Sequence, residues 1–208
     1  MTAPKPRVDA VIPLAVLETV RWLDAPRPDG LQEYHSELAS KRLGMSATVA
    51  AQIDRFRDLA RSGESVDGSE VEQLLRLAGR RVDAALVFDE AGRRAAGHAI
   101  ARLSAPARWA WRVAGPARRT FGMRVARAML SRVFGLAVEP DGTGLVLTAG
   151  AAIAARAVAD GAACGLYGAA AAALLRRCIG FEGAVAHESC VGHGAPACVW
   201  RTLTRPEE

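Results

Sequence analysis

The stretch from Cys164 to Leu203 decides the fold and reads CGLYGAAAAALLRRCIGFEGAVAHESCVGHGAPACVWRTL. In its first part, the larger apolar side chains recur at spacings of three and four, which places them on one face of a helix. The members of this face are Cys164, Tyr167, Ala171, Leu174 and Cys178. We therefore predict a helix that ends near Gly180, with Arg176 and Arg177 on its solvent side.

Two short runs rich in β-branched and aromatic residues follow this helix. They are Ala184–Cys190 and Cys198–Leu203, and the glycine-rich segment Val191–Ala197 between them supplies turn residues. This pattern predicts an antiparallel hairpin. Together, the helix and the hairpin carry all four cysteines of the protein.

A second hairpin is predicted upstream, where Val133–Glu139 and Leu145–Thr148 flank a turn. Asp141 and Gly142 supply the residue types that tight turns need. Two hairpins and several helices predict an α+β fold, in which a small antiparallel sheet is packed by helices.

The beginning of the chain reads as a helical region. Apolar periodicity predicts helices over residues 8–23, 31–43 and 46–60. Ser62–Gly68 is rich in turn formers and is the best linker candidate, and Ser69 with Glu72 directly after it matches a capping box. We therefore expect a helical region over residues 1–65 and a ligand-binding domain over residues 66–208.

Composition indicates a globular protein with uneven charge. The 208 residues are 50% hydrophobic and 24% charged, with a net charge of +5. Between Glu90 and Glu139 there are ten arginines and no acidic residue. This basic segment is either a solvated face or attracts an anionic partner, such as tetrapyrrole carboxylates or acidic lipid headgroups. No nucleic acid partner is expected, because no DNA- or RNA-binding motif is present.

Nothing in the sequence predicts export. Asp9 and Glu18 interrupt the first apolar stretch, as they would not in a signal peptide. The apolar segments Leu145–Ala155 and Gly161–Leu175 are shorter than the ~20 residues that span a bilayer. We expect a cytoplasmic protein, with a peripheral membrane contact left open, and no structural disulfides.

The C-terminal pattern carries a resemblance to a known family. Its elements are Gly180, a β run, Cys190-x7-Cys198 with Gly194 and Pro196 inside it, and Val199-Trp200-Arg201, preceded by Cys164-x2-Tyr167 and, further back, Gly92–His98. This pattern resembles the 4-vinyl reductase domain family, in its bacteriochlorophyll 4-vinyl reductase branch, over roughly residues 70 to 203. Ala195 stands where many members carry an acidic residue, and residues 1–65 match nothing in the family.

The resemblance implies a function in bacteriochlorophyll biosynthesis, and so in photosynthesis. The chain would bind a vinyl-bearing chlorophyllide or protochlorophyllide, a tetrapyrrole, and either reduce its vinyl group as an oxidoreductase or deliver it to a redox protein partner. The ligand-binding residues implied are Cys164, Tyr167, His187, Cys190, His193 and Cys198. No strand–GxGxxG–helix unit is present, so the cofactor and any catalytic residues are unidentified.

Zinc is a possible occupant of the same thiols and imidazoles. Cys190 and Cys198 lack the short Cys-x2-Cys spacing of structural zinc sites, and a fourth ligand would have to be Cys164 or a histidine. Buried, inert cysteines that shape a pocket are the commoner outcome, so we expect no metal. The alternative function is a non-catalytic module that senses a small molecule and signals to a protein partner.

Overall fold

The computed structural model describes residues 6–25, 46–103, 118–142, 144–150, 152–158 and 160–204. The helices in these ranges are α1 (Val11–Asp24), α2 (Ala47–Ser62), α3 (Gly68–Gly79), α4 (Ala84–Ala101), α5 (Arg118–Phe134), α6 (Ile153–Ala157) and α7 (Gly165–Ile179). The strands are β1 (Arg7–Asp9), β2 (Ser65–Asp67), β3 (Ala137–Asp141), β4 (Gly144–Ala149), β5 (Gly183–Ser189) and β6 (Cys198–Thr204). The predicted α+β fold is confirmed.

Both predicted hairpins are confirmed, and together they form one sheet. The four antiparallel strands lie in the order β3-β4-β6-β5. Gly142 has a φ of +55° between β3 and β4, where the sequence predicts the turn. Strands β4 and β6 are the central pair, so Trp200 of β6 lies opposite Leu147 of β4 and is almost completely buried.

Helix α7 is the central helix of the fold, and its predicted apolar face is buried. Cys164, Tyr167, Ala171, Leu174 and Cys178 are each at most 4% exposed, whereas Arg176 and Arg177 are exposed. Small residues allow neighbouring helices to approach it closely. A Cβ on Gly92 of α4 would lie 2.2 Å from the carbonyl oxygen of Leu166. The position tolerates glycine alone, because any side chain would collide with the backbone of α7.

A two-stranded sheet that the sequence did not predict joins the N-terminus to the rest of the chain. Strand β1 pairs with β2, with Val8 opposite Val66. The expected linker therefore contains a strand. One hydrophobic core includes Val11 and Leu14 of α1 together with residues of α4 and α7, from both sides of the expected boundary at residue 65. The division into two domains stays a prediction.

The capping box expected at Ser69 and Glu72 is wrong in its position. Helix α3 begins at Gly68, and Asp67 is its N-cap, with its carboxylate accepting a hydrogen bond from the Ser69 amide at 2.8 Å. Aspartate is as good an N-cap as serine and stands two residues earlier, so it fixes the helix start.

Of the other helices expected near the N-terminus, α1 and α2 confirm the two predicted over residues 8–23 and 46–60. The helix expected over residues 31–43 lies outside the described residues. Helix α2 begins after its N-cap Ser46, whose side chain accepts a hydrogen bond from the Val49 amide.

The segment Ala162–Ile179 is long and apolar enough to cross a membrane by length and composition alone, although 61% of it is buried inside the fold. It is the buried central helix described above. The same test finds no second candidate among the described residues.

The basic segment is partly neutralised by ion pairs. Arg93 and Arg94 pair with Glu90 on the same helix, and Arg102 pairs with Asp9 at 2.8 Å. Arginines of α5 that are exposed to solvent have no ion-pair partner among the described residues: Arg118, Arg119, Arg124 and Arg132. The remaining arginines of the segment are Arg127, which is half-buried on α5, and Arg108 and Arg112, which lie outside the described residues.

Candidate metal centre

Three thiols and one imidazole meet where the start of α7 faces the hairpin formed by β5 and β6. The Sγ atom of Cys164 lies 3.7 Å from that of Cys190 and 3.9 Å from that of Cys198, and the last two are 3.9 Å apart. A ring nitrogen of His187 completes the group, so that all four ligand atoms lie within 4.8 Å of one another. We call these four residues the thiol cluster.

The distances between the three sulfurs of the thiol cluster match a tetrahedral metal site. Zinc binds thiolate at about 2.3 Å, so that two sulfurs of a tetrahedron are separated by about 3.8 Å. The three Sγ distances, between 3.7 and 3.9 Å, lie around this value. A disulfide needs a sulfur–sulfur distance of about 2.05 Å, and all three thiols are free. The donor set, Cys₃His, is one of those that hold structural zinc.

A β-bulge brings His187 and Cys190 to the same side of the hairpin. Side chains alternate along a strand, so residues three apart would point to opposite faces. The pairing of β5 with β6 shifts between His187 and Ser189, which inserts one extra residue. Because His187 pairs with Trp200 and Ser189 with Val199, the cluster residues of β5 and β6 share the face that α7 covers.

Cys164 reaches the cluster from a short 3₁₀ helix, Ala162–Cys164, that leads directly into α7. Gly161 precedes this turn with a φ of +76°, a conformation that favours glycine. A Cβ at Gly161 would lie 3.4 Å from the Sγ of Cys190 and 3.9 Å from the ring of His187. The Asp160 carboxylate accepts a hydrogen bond from the Ala162 amide at 2.9 Å and so fixes the start of the turn.

Two thiols of the cluster, Cys164 and Cys198, are hard to ionise without a cation. Burial, and then the neighbouring Cys198 and Cys190, raise the pKa of the Cys164 thiol far above its usual range. Burial likewise raises the pKa of Cys198, although a hydrogen bond from the Val191 amide opposes it. Three like groups repel one another when ionised. A bound cation would reverse this, because it stabilises each thiolate directly.

Two contacts support the cluster from its surroundings. The Val191 amide donates a hydrogen bond to the Sγ of Cys198 at 3.4 Å, and such bonds orient metal ligands and tune their charge. The ring of His187 stacks on Trp200, with centroids 5.0 Å apart and planes at 21°.

The side chain of His187 is exposed, yet its pKa is lowered. Partial burial of the ring and the nearby His193 lower this pKa, and a backbone hydrogen bond at Ser189 opposes them. A neutral imidazole is the form that binds metal.

The structure thus brings together four of the six residues predicted for a ligand site. His193 lies beside the cluster, with its ring 3.7 Å from a Cβ built at Gly161, but is not one of the four. Tyr167 lies one turn along α7, in contact with Trp200 and Phe134, and lines a separate cavity instead.

Cys178 provides a contrast within the same protein. It is buried in a small apolar cluster with Ala126, Leu145 and Leu175, and none of the other three cysteines belongs to that cluster. Burial alone raises the pKa of its thiol to about 11. It behaves as a small apolar core residue.

The small residues of α7 are covered by other parts of the protein. A Cβ at Gly168 would lie 3.4 Å from the ring of Trp200, and Ala169 and Ala170 lie against Gly92 of α4. Three cavities of about 270, 480 and 650 Å³ open elsewhere, and Tyr167 is the one predicted site residue among their linings.

No protein-family model, curated protein or solved structure matches this chain. The resemblance to the 4-vinyl reductase domain family, with the function it implies, therefore stays a prediction.

Sequence reasoning missed three contributors to the site. Trp200, which supports the His187 ring, could have been found from its alternation with Cys198 along β6. Gly161 and the Val191 amide act through their backbone. A sequence pattern does not reveal which backbone groups will contact a site.

Proposed function

We propose that this chain is a small-molecule-sensing module whose fold is fastened by a structural zinc ion held by Cys164, His187, Cys190 and Cys198. The observation that carries the proposal is the convergence of these four side chains within 4.8 Å, with the three sulfurs at the spacing of a tetrahedral site. When bound, the ion would stabilise the buried cysteines in their thiolate form. It would also hold the start of α7 against both strands of the hairpin.

A structural role follows from the number of ligands. Catalytic zinc has three protein ligands and one position open to water or substrate, whereas structural zinc has four. The thiol cluster offers four donors, and Cys164, Cys190 and Cys198 are each at most 3% exposed. The metal at this site would therefore hold the fold and would not activate a substrate.

Most of the predicted site residues already contact one another in the thiol cluster, and this favours the sensing function over vinyl reduction. Four of the six form the thiol cluster, and α4 with Trp200 covers the small-residue faces of α7. The tetrapyrrole function remains a second candidate that rests on the family resemblance. It needs a space for a macrocycle, and the cavity beside Tyr167, at about 270 Å³, lies below the range of about 300–1,000 Å³ that is typical of small-molecule sites.

Metal content tests the proposal. Full-length protein, produced with zinc in the medium and purified without chelators, should contain one zinc ion per chain by elemental mass spectrometry. Cys164→Ala and His187→Ala should lose most of it, because each removes one of four ligands. Cys178→Ala and His193→Ala are matched controls, since they remove the same side chains outside the cluster.

Wild-type protein that stays metal-free after addition of zinc would overturn the proposal. Equal zinc content in Cys164→Ala and Cys178→Ala would also overturn it, because the ion would then lie elsewhere. If one of the alanine variants does not fold, the matching serine or glutamine variant provides the same comparison.

The second candidate has its own test. Titration of the zinc-loaded protein with a magnesium porphyrin should give no saturable quenching of tryptophan fluorescence. Saturable quenching would favour the tetrapyrrole function and count against the sensing module.

A further inference from the structure

A cavity of about 270 Å³ is lined by Tyr167 and by no residue of the thiol cluster, and it has no assigned role. Its walls come from five parts of the fold: the β1–β2 sheet, the start of α1, the C-terminal end of α5, the segment from the end of β4 through α6, and Tyr167 of α7. It is therefore the place where the N-terminal sheet meets the helix that the metal would fasten.

Two arginines at this cavity carry positive charge with little compensation. Arg132 is exposed and has no ion-pair partner in the part of the chain that the structure describes. Arg156 lies 3.9 Å from Glu72, but that carboxylate is bound more closely by Arg76, at 2.7 Å. Planar guanidinium groups bind carboxylate and phosphate in a bidentate manner.

The other two charged residues of the cavity already have hydrogen-bond partners in the protein. Arg7 donates to the carbonyl oxygen of Ser65, which holds it on the β1–β2 sheet. Asp9 accepts from Arg102 with both of its oxygens at 2.8 Å and from the Val11 amide at 3.0 Å. Because Asp9 is neutralised by Arg102, the cavity has a net positive charge.

The hydroxyl group of Tyr167 adds a hydrogen-bond donor at the cavity wall. Tyr167 is only 4% exposed, and its hydroxyl forms no hydrogen bond with any described residue. The hydroxyl can therefore donate to a ligand without giving up a partner in the protein.

The other walls are apolar. Ile12 and Ile153 are almost completely buried, Phe134 is 5% exposed, and Val133 and Ala149 continue the surface. A ligand with an apolar body would lose water-exposed area here, while its charged end would reach the arginines. Inorganic anions would gain nothing from these walls.

We propose that this cavity binds a small organic carboxylate, with its carboxylate group held by Arg132 and Arg156, the Tyr167 hydroxyl donating to it, and its hydrocarbon part against Phe134 and Ile153. This inference deepens the proposed sensing function, because it names the class of molecule that is sensed. A bound ligand contacts both the β1–β2 sheet and α7, so its presence stabilises the contact between them.

Hexanoate is the probe, and hexanamide is its neutral isostere. Calorimetric titration of the zinc-loaded full-length protein should show saturable binding of hexanoate and at least about tenfold weaker binding of hexanamide, since a hydrogen bond to a charged group is worth more than a neutral one. Arg132→Gln and Arg156→Gln should each weaken hexanoate about tenfold. Tyr167→Phe should weaken hexanoate binding a few-fold.

Arg124→Gln is the matched control, because Arg124 is an exposed, unpaired arginine of the same described helix as Arg132 and does not line the cavity. It should bind hexanoate like the wild type. Hydrogen exchange should also slow at Val8 and Val66 when hexanoate is added, because both belong to the sheet that borders the ligand.

Three outcomes would overturn the inference: no saturable hexanoate binding, equal binding of hexanamide, or equal weakening by Arg124→Gln and Arg132→Gln. Inorganic phosphate that binds as tightly as hexanoate would overturn the apolar part and leave a plain anion site. The zinc content of each protein is measured in parallel. Absence of hexanoate binding by wild-type protein that holds one zinc would contradict this inference alone, whereas absence of zinc would contradict the structural metal.

Discussion

Two regions of this molecule hold distant parts of the chain together by opposite means. In the thiol cluster, Cys164, Cys190 and Cys198 are like groups that repel one another when ionised. Along the seam between the N-terminal segment and the core, groups of the protein pair with one another: Asp9 forms an ion pair with Arg102 at 2.8 Å, and Glu18 hydrogen-bonds to His98 at 2.7 Å. The carboxylates of the seam are paired within the protein, whereas ionised thiolates of the cluster would need a bound cation to balance their charge. A cluster of like groups that lack a counter-charge in the protein is therefore a stronger indication of a bound ligand than a set of groups that pair with one another.

The largest expected effect comes from removing the N-terminal side of the seam. We expect deletion of residues 1–65 to abolish cooperative folding, because α1 buries large apolar side chains in the common core: Val11, Ile12, Leu14, Val16, Leu17 and Val20. Each is worth about 1.5–3 kcal/mol, and their sum is comparable to a typical free energy of unfolding of about 5–15 kcal/mol. Circular dichroism and thermal melting measure this directly.

The outcome also decides the domain division expected from the sequence. A truncated chain of residues 66–208 that melts cooperatively would show a separable domain and would mean that the shared core is not essential for folding.

A second prediction distinguishes the two regions by how the melting temperature responds to a chelator and to salt. Removal of metal by a chelator should lower the melting temperature by about 10 °C or more, because a structural zinc contributes several kcal/mol and 1 kcal/mol corresponds to about 2–4 °C at this size. Addition of 1 M salt, with a Debye length of about 3 Å, should lower it by much less, because partly exposed ion pairs are worth about 1 kcal/mol or less each.

Cys164→Ala is the control for the chelator. It should melt at the temperature of the chelated wild type and respond no further to chelator. A wild-type melting temperature that falls with salt and is unchanged by chelator would reverse the assignment of the two regions.

The smallest expected effect is the stability that the seam loses at acid pH, when Glu18 is protonated. Burial disfavours ionisation of Glu18, but hydrogen bonds from His98 and Arg57 outweigh it and lower the pKa of this carboxyl below its ordinary value. A lowered pKa means that ionised Glu18 stabilises the fold above its ordinary pKa and that this stability is lost as the pH falls through the folded-state pKa. Glu18→Gln removes this dependence.

Urea denaturation at about pH 6 and about pH 3 measures the change. The wild type should lose about 1 kcal/mol more than Glu18→Gln between the two pH values. The Glu70→Gln variant, which removes an exposed partner of Arg55, serves as the control. Equal acid sensitivity of wild type and Glu18→Gln would show that this pair contributes nothing.

Local features of the fold were predictable from the sequence, and distant pairings were not. The buried face of α7 and both hairpins follow from periodicity and turn residues within a short stretch. The β1–β2 sheet joins strands of three residues across more than fifty intervening positions, with Val8 opposite Val66, and no periodicity can reveal so short a strand. The start of α3 was misplaced because Asp67 competes with Ser69 as the helix cap.

The same distinction holds for the site. Sequence reasoning found all four residues of the thiol cluster, but it assigned them to a macrocycle pocket and expected no metal. His187 and Cys190 are three residues apart, so their side chains lie on the same face of the strand only because of a β-bulge, and the sequence does not predict that bulge. Cys164 joins them only because α7 crosses the end of the hairpin. The cavity arginines, Arg132 and Arg156, come from separate helices and carry no common motif.

Titration with cobalt tests the central claim, a tetrahedral metal site at the thiol cluster, most directly. Co²⁺ takes the place of zinc in tetrahedral sites, and its visible absorption reports sulfur ligands and coordination geometry. We predict that one equivalent of Co²⁺ produces the intense spectrum of a tetrahedral, thiolate-ligated ion, that zinc then abolishes it, and that Cys178→Ala behaves like the wild type. A weak octahedral spectrum, or a thiolate spectrum that survives in Cys164→Ala, would contradict the claim.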